Sequence, residues 1–309
     1  MQIGIDLMSA AKRYLAKAAA FEKRRMKPAP FTYHAPETVE EAVALLAEFA
    51  PQNGRVLAGG QSLVPAMAFR LARPTHLIDI NGIAALARLA VADKNLLIGA
   101  GVRHAAFHRP VVVGPLGRLL ALVVRHIAHD PIRRRVTFGG SLAHADPASE
   151  WCCVAATLDA TIVARGVDGT RDIPIAQFFI GVMATALAEN ELLVQVKLPL
   201  LPADPKIGFA EFSRRAGDFA MAMVLTTYRI ADGRIAEARL GIGGAETRPR
   251  RIAEAERLLE GRVPTRECFA AAATAAAHAI RPITDAALDA DYRRDLVRSL
   301  VHRALEQAA

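Results

Sequence analysis

Apolar positions along this chain recur at two periods, near 3.6 and near two residues, and the changes of period mark its elements. Thr38 stands three residues ahead of Glu41 at the head of an apolar-periodic run. That capping-box pattern predicts a helix over 38–49, closed by the turn Pro51-Gln52-Asn53-Gly54. Residues 55–58 then read as a short strand ending in Gly59-Gly60, 63–71 as a helix and 76–80 as a strand, a βα alternation with parallel character. Further on, 96–99 reads as a strand, 116–127 as a helix stopped near Asp130-Pro131, 148–158 as a helix and 160–164 as a strand. Ile173 opens a short strand, and 192–198 is a strand ended by Pro199. Leu201-Pro202-Ala203-Asp204-Pro205 carries two prolines and no periodicity and reads as a linker. Beyond it, 221–230 and 235–242 flank Asp232-Gly233 as a hairpin with a tight turn, and helices are expected over 252–259, 268–279 and 291–307. The tail is a small α+β unit.

Composition narrows the class. The chain has 309 residues, 52% hydrophobic and 23% charged, which excludes disorder and allows about two domains. No apolar run approaches the roughly 20 residues of a membrane-spanning helix. The net charge is +8, and half of it lies in residues 1–25, where Lys12, Arg13, Lys17, Lys23, Arg24 and Arg25 face only Asp6 and Glu22. In that segment Leu7, Ala11, Leu15, Ala18 and Phe21 recur at helical spacing, so a basic amphipathic helix is expected as an N-terminal extension. One Trp and no interleaving of basic and aromatic residues argue against nucleic acid as a partner. Three cysteines, Cys152, Cys153 and Cys268, make neither a disulfide framework nor a four-thiolate [2Fe–2S] ligand set, and point to a reducing, cytoplasmic compartment.

Two glycine pairs carry the candidate chemistry. Ala58-Gly59-Gly60-Gln61-Ser62 closes a strand and opens a helix, and Thr137-Phe138-Gly139-Gly140-Ser141 precedes another helix. A strand–Gly-Gly–helix turn lets backbone amides approach an anion at the positive end of a helix. Each alone is an ordinary tight turn; the two together, with hydroxyls at Ser62, Thr137 and Ser141, suit a diphosphate. Gly99-Ala100-Gly101-Val102-Arg103-His104 begins like a dinucleotide fingerprint but lacks its third glycine, and is read as a strand-to-loop turn. His126, His129 and Asp130 have metal-ligand types at a helix end, where histidine also satisfies terminal carbonyls. Arg133-Arg134-Arg135 is an anion patch or a solvated charge run. Neither a Walker A loop, nor a nucleophile elbow, nor a carboxylate pair at acid–base spacing occurs.

Over residues 26–309 these motifs resemble the FAD-binding (medium) subunit of the molybdenum hydroxylases, the carbon monoxide dehydrogenase and xanthine dehydrogenase family. The resemblance is carried by 58–63, by the longer signature 137–150, by Phe178-Phe179 with Gly181, by Thr185 and Leu187, by Glu191-Leu192-Leu193, by Arg214-Arg215-Ala216-Gly217-Asp218-Phe219-Ala220, and by Asp291-Tyr292-Arg293-Arg294. It implies an α+β fold: a two-subdomain FAD-binding domain of the vanillyl-alcohol-oxidase/PCMH type over 26–203, divided at about 85, and a C-terminal α+β domain over 204–309. It implies non-covalent FAD, with Ala58, Gly59, Gly60, Gln61 and Ser62 and Thr137, Phe138, Gly139, Gly140 and Ser141 on the pyrophosphate, Glu150 accepting from polar groups of FAD, Ile127, Leu187 and Leu192 packing on flavin or adenosine, and Phe219 near the isoalloxazine. Arg134 and Val136 stand where the family often has Asn and Gly, Phe219 replaces a frequent Tyr, and Ser213 falls where some members have Lys. The implied function is electron transfer from [2Fe–2S] clusters of a small partner subunit to FAD and on to an external acceptor, beside a large molybdopterin subunit, in a dimer of heterotrimers. The competing readings are a stand-alone FAD oxidoreductase and a non-catalytic anion- or nucleic-acid-binding module.

Overall fold

The first helix forms where its cap is written. In the computed structural model, which describes residues 27–284 and 288–309, Thr38 Oγ1 accepts from the Glu41 amide at 3.1 Å while the Glu41 carboxylate accepts from the Thr38 amide, a reciprocal capping box. Helix α1 (Val39–Phe49) buries Ala42, Val43 and Leu46. Around it lie β1 (Thr32–His34), β2 (Gly54–Leu57) and β3 (His76–Asp79), a parallel sheet in the order β1-β3-β2. Helix α2 (Leu63–Ala68) follows the first glycine pair; it stops short of the expected residue 71 because Arg70 turns to φ 58°. The N-terminal helix expected over 1–25 lies outside the described residues.

The next unit is antiparallel. Strands β4 (Leu89–Ala92), β5 (Asn95–Gly99), β6 (Thr161–Gly166) and β7 (Gly169–Pro174) precede a small hairpin, β8 (Phe179–Gly181) with β9 (Ala184–Thr185), and then β10 (Leu192–Pro199). The sheet order is β4-β5-β10-β6-β7, so the long β10 sits at its centre. Ile173 was expected to open a strand, but it lies next to the end of β7; the hairpin turns at Val167-Asp168 and pairs Gly166 with Gly169. Helices α3 (Pro115–Val123), α4 (Phe138–His144) and α5 (Glu150–Thr157) cross between β5 and β6. α3 ends before the expected residue 127, because the chain makes successive three-residue turns from Val123 and reaches φ 42° at Ala128.

The last unit is a four-stranded antiparallel sheet of β11 (Lys206–Phe212), β12 (Ala222–Ala231), β13 (Arg234–Gly243) and β14 (Arg250–Arg251). Its central hairpin turns at Asp232 and Gly233 with φ 50° and 73°, the paired left-handed geometry that matches strand twist. Helices α6 (Ala253–Leu259), α7 (Arg266–Ala279) and α8 (Ala290–Ala308) cover one face, and α5 of the preceding unit covers the other. That is why β12 reads as a continuous apolar run rather than an alternation: Val224 joins the core under the helices, while Met223 and Leu225 join the core shared with α5. Contact is close enough that only glycine fits twice. A Cβ on Gly241 would lie 1.8 Å from Thr157 Oγ1 of α5, and one on Gly208 1.8 Å from the Ala304 carbonyl of α8. Arg293, buried in α8, donates to the Met221 and Gly244 carbonyls at 2.7 and 3.0 Å and ties that helix to the sheet.

Candidate cofactor site

The parallel sheet ends in a turn whose amides have nothing to bind. Past Leu57, the N–H groups of Gly59, Gly60, Gln61 and Ser62 find no acceptor among the described residues. Gly60 sits at φ 71°, a conformation that favours glycine, and lets the chain turn sharply into α2. Ser62, at the head of that helix, caps no backbone group with its side chain. Consecutive backbone donors left open between a strand and a helix are suited to an anion.

The second glycine loop is built differently. The Phe138 and Gly139 amides donate to the Val102 and Ala100 carbonyls at 2.8 and 3.0 Å, and the Gly140 amide to Thr137 Oγ1 at 3.0 Å. Ser141 N–H closes the first turn of α4 onto Thr137, and Ser141 Oγ pairs with His104 Nε2 at 3.1 Å. Of this loop's amides, only that of Thr137 lacks an acceptor among the described residues. The two loops therefore do not present equal sets of donors, as their similar sequences suggest. The first supplies amides; the second supplies a rigid wall that the first leans on. A Cβ on Gly59 would lie 2.5 Å from the Arg135 carbonyl and 2.6 Å from Val136 Cα, and a Cβ on Gly139 2.5 Å from Ala100. These two glycines are needed for backbone-to-backbone approach within the protein, and Gly60 for the turn itself. A cavity of 280 Å³ opens beside the junction, bordered by Ala58, Asn81, Arg103 and Thr137 with Ile80 and Leu89.

The remaining predicted residues divide. The Phe138 side chain is fully buried against Phe107 and Trp151, with ring centroids 5.5 and 5.1 Å away, so its side chain belongs to the core. Ile127 and Leu192 are buried core residues and Leu187 packs at the edge of that core. Phe219 is 65% exposed on the β11–β12 connection. Gln61 Nε2 turns back onto the Gly59 carbonyl at 3.2 Å. Glu150, the first residue of α5, is buried, and burial pushes its carboxyl up to about 7. A second buried carboxylate, absent from the sequence reading, belongs to Glu211 of β11. Burial and the charge of Glu150 push it up to about 8, and its Oε2 has no hydrogen-bond partner among the described residues. Its nearest basic group is His126 Nδ1 at 3.8 Å, whose own pKa burial lowers.

The three residues of metal-ligand type lie apart: His126 faces Glu211, Asp130 pairs with Arg134 at 2.6 Å, and His129 lies against Gly217. Among the described residues no three His, Cys, Asp or Glu side chains are grouped to hold a metal ion. The arginine run is occupied structurally. Arg133 donates to the Ile127 and Ala128 carbonyls at 2.7 and 2.9 Å, and the Arg135 carbonyl accepts from Arg103. Cys152 and Cys153 are fully buried free thiols whose pKa values burial raises, Cys153 to about 12, so neither is a thiolate at neutral pH. The signal for His104 and Arg103 lay in the sequence, inside the incomplete fingerprint read as a turn; their roles depend on distant partners at Ser141, Asn81 and Arg135.

The donor set fits a dinucleotide diphosphate: unpaired amides, a φ-positive glycine, and no carboxylate among 58–62 or 137–141 to repel it. Comparison with known proteins agrees. Residues 29–201 match the FAD binding domain in molybdopterin dehydrogenase, and 208–308 the CO dehydrogenase flavoprotein C-terminal domain. The chain is 36% identical over 283 residues to the nicotine 6-hydroxylase medium subunit of Paenarthrobacter nicotinovorans, covering 92% of this chain and 99% of that one. It is also 36% identical over 285 residues to the carbon monoxide dehydrogenase medium chain of Hydrogenophaga pseudoflava, covering 92% and 98%. Among solved structures, carbon monoxide dehydrogenase from Hydrogenophaga pseudoflava superposes with a TM-score of 0.87 at 35% identity, over 91% of this chain and 98% of that one. Quinoline 2-oxidoreductase from Pseudomonas putida 86 superposes with a TM-score of 0.86 at 34% identity over the same shares. With both glycine loops, the C-terminal sheet and matches across nearly the whole described chain in agreement, the protein belongs to the FAD-binding medium subunits of the molybdenum hydroxylases, the flavoprotein component of this oxidoreductase family.

Proposed function

We propose that this chain is the flavin relay of a three-subunit molybdenum hydroxylase, accepting electrons from [2Fe–2S] clusters of a small partner and releasing them to an external acceptor. The observation that carries the FAD assignment is the run of four unpaired amides at Gly59–Ser62, seated against the second glycine loop. When bound, FAD supplies the ability to take electrons singly and return them in pairs. The protein's part is to hold it. Gly59, Gly60, Gln61 and Ser62 donate to the pyrophosphate, joined by the Thr137 amide, with Ala58, Phe138, Gly139, Gly140 and Ser141 shaping the cradle. Leu187, at the edge of the core, and exposed Phe219 would meet the rings, with Ile127 and Leu192, themselves buried, backing that wall. Glu150, whose burial makes it hold its proton more tightly than an ordinary carboxyl, would accept a hydrogen bond from a polar group of FAD.

The division of the chain at about residue 203, a PCMH-type pair of subdomains within the first part, assembly with a molybdopterin subunit as a dimer of heterotrimers, and a cytoplasmic setting belong to the same proposal. Three cysteines, two of them buried neutral thiols, cannot supply four thiolates to a cluster, so the relay clusters are placed on another chain. The test is anaerobic mixing of the purified, flavin-loaded chain with N-heterocycles, aldehydes and carbon monoxide while following flavin absorbance. No bleaching is expected until chains that co-purify from the native source are restored. Bleaching by the chain alone at a catalytic rate overturns the relay reading in favour of a stand-alone oxidoreductase.

A further inference from the structure

The two glycine loops are joined by side chains that no motif contains. Asn81, two residues past β3, donates from Nδ2 to the Ala58 carbonyl at 2.8 Å. Its Oδ1 accepts from Arg103 Nη2 at 2.6 Å, and Arg103 Nη1 donates to the Arg135 carbonyl at the entrance to the second loop. The chain of contacts runs from the first loop through an amide and a guanidinium to the second. It is anchored from behind, where Asp79 accepts from the Asn81 amide at 2.9 Å and from Tyr33 Oη at 2.6 Å.

The geometry of a peptide gives this clasp a consequence for ligand binding. In a trans peptide the carbonyl and the following N–H point in opposite directions across one plane. Asn81 holds the Ala58 carbonyl, so the Gly59 N–H is aimed away from Asn81, and it is one of the successive amides there with no acceptor among the described residues. Arg103 holds the opposite wall in register. Its own backbone pairs with Thr137 in an isolated antiparallel bridge, beside the bond from His104 N–H to the Val136 carbonyl at 3.1 Å. The planar fork of arginine reaches two acceptors in divergent directions at once; a lysine ammonium on a flexible stem does not hold that spacing. Arg103 also borders the 280 Å³ cavity with Asn81, Ala58 and Thr137, so the clasp adds a side-chain tie beside the backbone contact that Gly59 makes with Arg135 and Val136.

We infer that Arg103 and Asn81 are positioning residues for the pyrophosphate: they fix the separation of the two glycine loops and aim the Gly59 amide, without themselves contacting the phosphates. The inference rests on the assignment of FAD to these loops. The experiment titrates flavin-free full-length protein with FAD, reading flavin fluorescence for the dissociation constant and circular dichroism for the melting midpoint of the flavin-free form. Arg103→Met and Asn81→Ala are each expected to weaken FAD at least tenfold while the flavin-free midpoint moves by no more than about 2 °C. The double variant is expected to be no weaker than the weaker single variant, because both residues act through one clasp. Arg103→Lys, which keeps the charge and guards against an Arg103→Met chain that does not fold, is expected to recover less than half of the lost affinity on a logarithmic scale. FAD binding within twofold of wild type in both single variants overturns the inference. So do multiplicative losses in the double variant, or full recovery with lysine. Failure of the unaltered protein to bind FAD refutes the cofactor assignment instead, and is read before any variant is compared.

Discussion

Replacing Glu211 by glutamine should stabilise the protein in alkaline solution and leave it unchanged in acid. The Glu211 side chain is 4% exposed, its Oε2 has no hydrogen-bond partner among the described residues, and the groups facing it are His126, whose pKa burial lowers, and buried Glu150 of α5. The acid is thus favoured over the carboxylate, and the pKa rises from 4.5 to about 8. The unfolded chain releases this proton near its ordinary value while the folded chain retains it. Stability from the neutral acid is therefore complete below pH 4.5, falls as pH climbs toward 8, and levels off above that. At about 1.4 kcal/mol per pH interval the loss has a ceiling of roughly 5 kcal/mol. Solvent and backbone relaxation around the ionised group bring the realised value to about 2 kcal/mol. Glutamine keeps the shape and cannot ionise. Melting of the flavin-free chain should show Glu211→Gln matching wild type at pH 4.5 and exceeding it by about 4 °C at pH 8.5. An equal or lower midpoint at pH 8.5 would mean that Glu211 is ionised and paired, and the reasoning would fail.

Other expectations follow from the loops and the domain junction. Gly60→Val should weaken FAD binding at least a hundredfold, since a branched side chain is strained at φ 71° and its Cβ would meet Val64 and Leu57 at 3.2 and 3.3 Å; fluorescence titration of the flavin-free variant reads the loss. Gly140→Val should also weaken FAD, and should cost the cap as well, because its Cβ would lie 2.7 Å from Thr137 Oγ1; a loss of about 1 kcal/mol in urea unfolding is expected from the cap alone. Gly59→Ala should destabilise the flavin-free chain by about 2 kcal/mol, because the loops must part to admit the methyl; an unchanged urea midpoint would contradict the contact with Arg135. Acid precipitation should leave the chain colourless and the flavin in solution, as expected for FAD held by hydrogen bonds alone; yellow protein in the pellet would show a covalent link.

Local chemistry was legible wherever one segment determines its own form. The capping box at Thr38 and Glu41, the Asp232-Gly233 turn and the three C-terminal helices appear where their patterns place them. Short or two-sided strands escaped notice. β1 and β4 span three and four residues, too few to display a period, and β11, to which the sequence pattern assigns no element, has Gly208 in its middle. That glycine is dictated by the passage of α8 over the strand, a contact made across nearly a hundred residues. The site was legible at the same level. Both glycine loops stand out as motifs, but their unequal donor sets depend on which carbonyls Ala100 and Val102 bring alongside. Nothing in the local sequence marks Glu211; its burial comes from the packing of β11 against His126 and α5.

The central claim, that these two loops hold FAD, is tested most directly by counting flavin on the chain itself. Full-length protein is stripped of flavin, incubated with excess FAD or excess FMN, passed through a desalting column and denatured in acid, and the released flavin is measured against protein. A cradle built around a diphosphate predicts about one FAD per chain, little FMN, and loss of that FAD in Gly60→Val. Equal retention of FMN and FAD, or no retained flavin in folded wild-type protein, would contradict it.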